Sequence, residues 1–109
     1  MLRALWLLFK QVFLMDIKDC LIRKVDPLKI EEAFDLEHQE FYGKPRQTFG
    51  RKSYFMEYKW NPFIAKMLKG DELWFYRLPA EFWQHLQGHQ GYVLIRNGKI
   101  VAKVMTIQN

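Results

Sequence analysis

The sequence predicts an α+β fold, in which a four-stranded, largely antiparallel sheet with two short intervening helices is covered by N-terminal helices. Three observations lead to this class. Apolar residues recur at helical spacing in the first part of the chain, strand-like segments bounded by turn residues fill the second half, and an Asn-Gly turn lies near the end. With 109 residues and 50% hydrophobic residues, the chain fits a single domain over residues 1–109 with a modest core.

Residues 1–15 form the most hydrophobic stretch. Their longest unbroken apolar run, Ala4 to Phe9, is far below the roughly 20 residues of a membrane span, and no signal-peptide cleavage site follows it. We expect an apolar helix that packs on its own domain, contacts a partner or a second copy, or lies at a membrane surface. A start at Met15 would make it an extension. Its candidate partner-binding residues are Leu2, Leu5, Trp6, Phe9 and Phe13.

The segment from Ile17 to Val25 fits either a helix or a short strand, because its apolar run is too short to decide. Asp26 and Pro27 then predict the start of a helix, as N-cap and first residue, and Gly43 predicts its end. The residues predicted to face inward are Leu28, Ile30, Ala33, Phe34 and Phe41. The solvated face is predicted to carry Glu31, Glu32, Asp35 and Glu37.

Residues 44–52 are predicted to form an exposed loop, since they contain a proline and a glycine and lack apolar periodicity. Alternation over residues 53–60 predicts a half-buried strand. The residues placed on its inner side are Tyr54, Met56, Tyr58 and Trp60. Asn61 and Pro62 predict the start of a short helix that closes at Gly70.

A strand, a helix and a hairpin are predicted to follow. Residues 72–78 fit a strand covered on both sides, and Pro79 begins a short helix that ends at Gly88. The inner face of this helix is predicted to hold Phe82, Trp83 and Leu86. Asn97 and Gly98 predict a type I′ turn between strands 92–96 and 99–107. Counting outward from that turn pairs Ile95 with Ile100, Leu94 with Val101, and Val93 with Ala102.

The C-terminal 40 residues or so carry a recognisable pattern of glycines, aromatics and a proline. It consists of GDELW from Gly70, then Pro79, Trp83, Leu86, Gly88, Gly91, Tyr92, the run Leu94 to Gly98, and Asn109. This tail resembles that of a group of short bacterial proteins without an established activity. In the group, small residues are expected just before the proline. This chain has Arg77 and Leu78 there instead. The resemblance implies a shared fold and a bacterial origin, and it implies no particular chemistry.

The sequence favours a non-catalytic protein without a metal or cofactor. Glu81, His85 and His89 are spaced four apart, but Gly88 ends the predicted helix before His89. Cys20 lies in an apolar run, where a thiol acts as a small hydrophobe. As the chain's one cysteine it excludes an intrachain disulfide and favours a reducing, cytoplasmic location.

Positive charge is concentrated in the middle of the chain. The net charge is +5, and residues 44–69 hold seven basic residues and one acidic residue. The candidate polyanion-binding residues are Lys44, Arg46, Arg51, Lys52 and Lys59. The alternative to polyanion binding is that this segment pairs within the molecule with the acidic helix, which contains Glu31 to Glu40.

From these features we predict a small bacterial protein that binds a partner protein, or a second copy, through an exposed apolar or charged surface. The alternative is a nucleic-acid-binding accessory protein that uses the basic loop 44–52.

Overall fold

The computed structural model describes residues 16–46 and 53–109. Its four strands form one antiparallel sheet in the order β1-β2-β3-β4, so the predicted α+β class and four-stranded sheet are confirmed. The strands are β1 (Leu21–Val25), β2 (Glu72–Arg77), β3 (His89–Arg96) and β4 (Lys99–Gln108). The α-helices are α1 (Ile30–Tyr42), α2 (Asn61–Ile64) and α3 (Ala80–Gln84). Two 3-10 turns, Ile17–Cys20 and Pro27–Lys29, and a π-helical segment, Met56–Trp60, complete the elements. The apolar helix predicted over residues 1–15 lies outside the described residues.

The first described strand and helix agree with the local signals at their ends. The ambiguous segment is a 3-10 turn followed by β1. The Asp26 carboxylate accepts the backbone N–H of Leu28, and Pro27 begins the 3-10 turn that leads into α1. The helix ends as predicted at Gly43, whose φ of +71° is left-handed. Three face assignments are wrong. Leu28 precedes the α-helix and is 92% exposed, and Phe41 is 42% exposed, whereas Glu37 is buried.

Residues 54–64 are helical, and the strand predicted over residues 53–60 is wrong. The buried residues Trp60 and Phe63 are spaced as on a helix, whereas Tyr54 and Tyr58 point to solvent. Asn61 does not cap a new helix, because the π-helical segment runs directly into α2 and the Asn61 N–H donates to the carbonyl of Met56. The wider π turn accommodates Pro62, which has no N–H to donate and would clash within a regular helix. We call residues 54–64 the middle helix.

The main core lies between the sheet and the two longer helices. Phe34 of α1 and Trp60 of the middle helix meet edge to face, with ring centroids 5.0 Å apart, and both contact the Tyr92 ring of β3. The other strand residues of this core are Val25, Leu73, Phe75, Leu94 and Val104. The opposite face of the sheet holds a second apolar cluster of Tyr76, Val93 and Ile95.

The predicted hairpin forms, with a register shift that counting from the turn does not reveal. Asn97 and Gly98 have positive φ angles of 52° and 77°, as a type I′ turn requires. Ile95 pairs with Ile100 as predicted, but an irregularity follows, so Leu94 faces Ala102 and Val93 faces Lys103. The pairings of Leu94 with Val101 and Val93 with Ala102 are therefore wrong.

The short helix after β2 is confirmed as α3, and it ends earlier than predicted. Phe82 is fully buried, whereas Leu86 has a φ of +59° and is 75% exposed. Gly88 lies against the Trp83 ring. Cys20 is buried with Leu78 and Phe82, as a core thiol should be.

Candidate functional site

A groove of about 510 Å³ runs between the middle helix and β4. Its floor is apolar and includes Phe63 and Val104, both buried in the core. The described lining contains three lysines and no acidic residue. We call it the edge groove, because one of its walls is the last strand of the sheet.

The middle helix supplies the aromatic wall of the edge groove. The Tyr54 and Tyr58 rings are one helical turn apart, with centroids 4.7 Å apart and planes tilted by 34°. Their residues are 69% and 59% exposed, so this ring pair faces solvent. Exposed rings in a groove can stack on a planar group or cover an aliphatic chain.

The lysines of the edge groove have no ion pair among the residues that the structure describes. Lys59 and Lys66 come from the middle helix and the turn after it, and Lys103 comes from β4. By contrast, every arginine within residues 16–46 and 53–109 pairs with a carboxylate. These arginines are Arg23, Arg46, Arg77 and Arg96. The positive charge of each of these arginines is therefore neutralised by a nearby carboxylate, whereas the positive charges of the groove lysines are not.

β4 has a strand neighbour on one side only in the part of the chain that the structure describes. It is ten residues long, and Val101 and Met105 are each 42% exposed. Lys103 pairs with Val93, which belongs to the cluster on the face opposite the middle helix. Burial and then the charge of Lys103 lower the pKa of His89. Cations therefore lie on both sides of this edge strand.

A second, smaller cavity of about 230 Å³ adjoins the edge groove and contains a buried carboxylate. Glu37 is 4% exposed, and its carboxylate accepts hydrogen bonds from Gln90 Nε2 at 2.7 Å, the Tyr92 hydroxyl at 3.1 Å, and the Thr106 hydroxyl. Burial, followed by the charge of Glu37, raises the pKa of Tyr92, so this phenol stays protonated and donates. We call this space the Glu37 cavity.

Sequence reasoning placed Glu37 on the solvated face, although a signal for its burial was present. Residues 30, 34, 37 and 41 follow the three- and four-residue spacing of one helix face. Phe34 and Glu37 are both buried on that face of α1. The position of Glu37 within this apolar stripe of α1 was therefore the sequence signal that its carboxylate is buried.

Three of the five predicted polyanion-binding residues lie in the described part of the chain, and their surroundings differ. Lys59 lines the edge groove, and Lys44 is exposed at the end of α1, where its carbonyl oxygen accepts from His38 Nδ1 at 2.9 Å. Arg46 is held by Glu31 and Asp35 of α1, and its guanidinium lies over the Phe34 ring. Arg51 and Lys52, like the partner-binding set Leu2, Leu5, Trp6, Phe9 and Phe13, lie outside the described residues.

No group of His, Cys, Asp and Glu side chains that could hold a metal ion occurs within residues 16–46 and 53–109. His85 is exposed, and His89 lies 2.8 Å from the Tyr76 hydroxyl through Nδ1. In the same residues, no helix has the length and apolar character needed to cross a lipid bilayer.

Protein-family models, curated proteins and solved structures give no match to this chain.

Proposed function

We propose that this chain is a non-catalytic cytoplasmic protein that binds an extended, acidic segment of a partner protein along β4. The observation that carries the proposal is the combination, in one groove, of a strand edge and three lysines that have no ion pair in the part of the chain that the structure describes. The single cysteine, which is buried in the core, supports a reducing compartment.

The main chain of β4 supplies the first part of the recognition. On an edge strand, the outward N–H and C=O groups are free to pair with an added strand, and this kind of addition gives affinity without a deep pocket. The ten residues of β4 are long enough for a segment of ordinary strand length. The middle helix borders one side of this edge and limits how a segment can approach it.

The lysines supply the selectivity. Successive side chains of an added strand point to opposite faces of the sheet. Those on one face would meet Lys59 and Lys66, and those on the other would meet Lys103, whose strand partner Val93 belongs to the cluster on that face. Acidic residues are therefore favoured on both faces of the bound segment, and a basic segment is repelled. Edge lysines also prevent indiscriminate strand pairing.

Single-stranded nucleic acid is the second candidate, and the Tyr54–Tyr58 ring pair favours it. Exposed rings beside lysines are the usual elements of a groove for unstacked bases. The four described arginines, which would give bidentate phosphate contacts, are all paired with carboxylates. An acidic peptide segment needs no such contacts, since it pairs through its main chain.

A titration with three labelled probes separates these functions. The probes are a twelve-residue peptide that alternates glutamate with valine, its lysine-for-glutamate counterpart, and a twelve-nucleotide thymidine strand. Fluorescence anisotropy measures affinity, and the methyl signal of Met105, which lines the edge groove, reports the location. We expect the acidic peptide to bind most tightly, to shift Met105 and to slow hydrogen exchange of outward β4 amides.

Charge reversal in the groove provides the matched test. K59E/K66E should weaken acidic-peptide binding by about tenfold or more, since two attractive contacts become repulsive. K18E/K29E makes the same charge change at exposed lysines that do not line the groove, and should weaken binding much less. Tighter binding of the thymidine strand would favour the nucleic-acid function, and equal binding of both peptides would overturn the proposal.

A further inference from the structure

We propose that the Glu37 cavity binds a small organic amine, whose ammonium group pairs with the Glu37 carboxylate. This site is distinct from strand addition along β4, although the two spaces share the wall formed by Phe55, Thr106 and Ile107. Three properties of the cavity support the inference, namely the state of its carboxylate, its charge and its shape.

The carboxylate of Glu37 is buried, and it has no cationic partner among residues 16–46 and 53–109. All three of its hydrogen-bond donors are neutral groups, and no salt bridge reaches it within the described residues. The Gln90 side chain links it to Arg77, which donates to Gln90 Oε1 at 2.9 Å, but Arg77 itself lies 3.6 Å from Glu40. A buried anion without an opposite charge is costly, so a cationic ligand would gain from occupying this position.

Among the described lining residues of the cavity and their ion-pair partners, carboxylates outnumber lysines and arginines. Arg46 is the one lysine or arginine among the described lining residues, and Glu31 and Asp35 both bind it. Arg46 with its two partners therefore contributes −1, and Glu37 adds another −1. This balance disfavours an anionic ligand even though a guanidinium lines the space.

The remaining walls are apolar or aromatic. Phe34, Phe55 and Met56 line the cavity, and Tyr42, which is 52% exposed, stands at its opening. Rings around an ammonium group attract it through their electron-rich faces. A volume of about 230 Å³ fits a molecule of the size of phenethylamine, since an engineered cavity of about 150 Å³ holds benzene.

The test uses three ligands of nearly equal shape on the full chain, namely phenethylamine, 2-phenylethanol and phenylacetate. Calorimetry gives the affinities, and ¹³C-labelled methionine methyl groups give the location, because Met56 lines the Glu37 cavity and Met105 lines the edge groove. We expect the amine to bind about tenfold more tightly than the alcohol, the acid to bind least, and Met56 to shift before Met105.

Two variants complete the test. E37Q keeps the shape of the side chain; its amide oxygen can accept from Gln90 and Thr106, and its amide N–H can donate to the Tyr92 hydroxyl oxygen. It should therefore bind the alcohol with similar affinity and lose the tenfold preference for the amine. Y42L, at an exposed position, should fold normally and weaken the amine several-fold by removing one ring. Equal affinities for the amine and the alcohol in the unmodified chain, or a shift of Met105 alone, would overturn the proposal without reference to any variant. These outcomes are independent of whether the acidic peptide binds to β4.

Discussion

The Glu37 carboxylate and the Gln90 side-chain amide, 53 residues apart in the chain, form a 2.7 Å hydrogen bond in the interior. The bond ties α1 to the middle of the sheet at a point where both partners are shielded from water. Arg77 donates to the oxygen of the same amide, which fixes the amide nitrogen towards Glu37. Hydrogen bonds thus connect Arg77 of β2, Gln90 and Tyr92 of β3, and Glu37 of α1 in one network.

Replacement of Glu37 by leucine should destabilise the domain strongly. The change leaves the donors of Gln90 and Tyr92 buried without an acceptor, and we expect a loss of about 2–4 kcal/mol in the free energy of unfolding. Glutamine at the same position should cost less than half as much. Urea denaturation followed by tryptophan fluorescence measures both values, and a leucine variant as stable as the parent would contradict the network.

Replacement of Gly91 by alanine should disrupt the β3–β4 pairing. A Cβ atom there would lie 2.0 Å from the Val104 carbonyl oxygen and 2.8 Å from Met105 Cα, both of which are backbone atoms. We expect a loss of about 3 kcal/mol or more. Gly43→Ala is the control: open space surrounds that position, and its left-handed φ alone should cost about 1 kcal/mol. Thermal unfolding of the two variants gives the comparison. Similar losses of stability in both would contradict the close approach of the β4 backbone to Gly91.

Removing the charge of Asp71 should change how stability depends on pH. Two hydrogen bonds from Arg96 and one from the Leu68 N–H lower the pKa of Asp71 from 3.8 to about 2. A carboxylate whose pKa is lower in the folded than in the unfolded state stabilises the fold at pH values above the unfolded-state pKa. This stabilisation is lost as the pH falls through the folded-state pKa. The stability difference between the parent and Asp71→Asn should therefore be largest above pH 4 and shrink towards pH 2. Urea titrations across this range measure it, and a constant difference would argue against the ion pair.

The thiol of Cys20 should react slowly in the folded protein. Burial, and then the nearby charges of Asp19 and Asp16, raise the pKa of this thiol. Since the thiolate is the reactive form, we expect modification by a disulfide reagent at pH 8 to be at least about 100-fold slower in buffer than in 6 M guanidinium chloride. Comparable rates in the two conditions would show that this part of the core opens readily.

The fold class could be predicted because its main signals are local. The N-cap at Asp26, the glycine at position 43 and the Asn97-Gly98 turn each act through their own backbone geometry, and all three appear in the structure. The error at residues 53–60 arose because alternating apolar residues also fit a helix when Trp60 and Phe63 are the buried pair. Phe55, an apolar residue on the side of the predicted strand that otherwise holds Ser53, Glu57 and Lys59, breaks this alternation and is the local sign of a helix.

The site was harder to predict because it depends on contacts between distant segments. The hairpin register shifts at an irregularity between Leu94 and Ile95, and this shift places Leu94 opposite Ala102 on the core face. Glu37 acquires its role from Gln90 and Thr106, which follow it by more than 50 residues. Lys59 belonged to the predicted basic set, but its association with Lys66 and Lys103 required the folded chain.

The exposed edge of β4 also bears on how the protein should be handled. Lysine repulsion between molecules is a long-range force that weakens when the screening length falls from about 30 Å at 0.01 M salt to about 3 Å at 1 M. Val101 and Met105 remain available for sheet-to-sheet contact at any ionic strength. Added salt should therefore promote precipitation of concentrated samples, and dilute buffers should keep them clear.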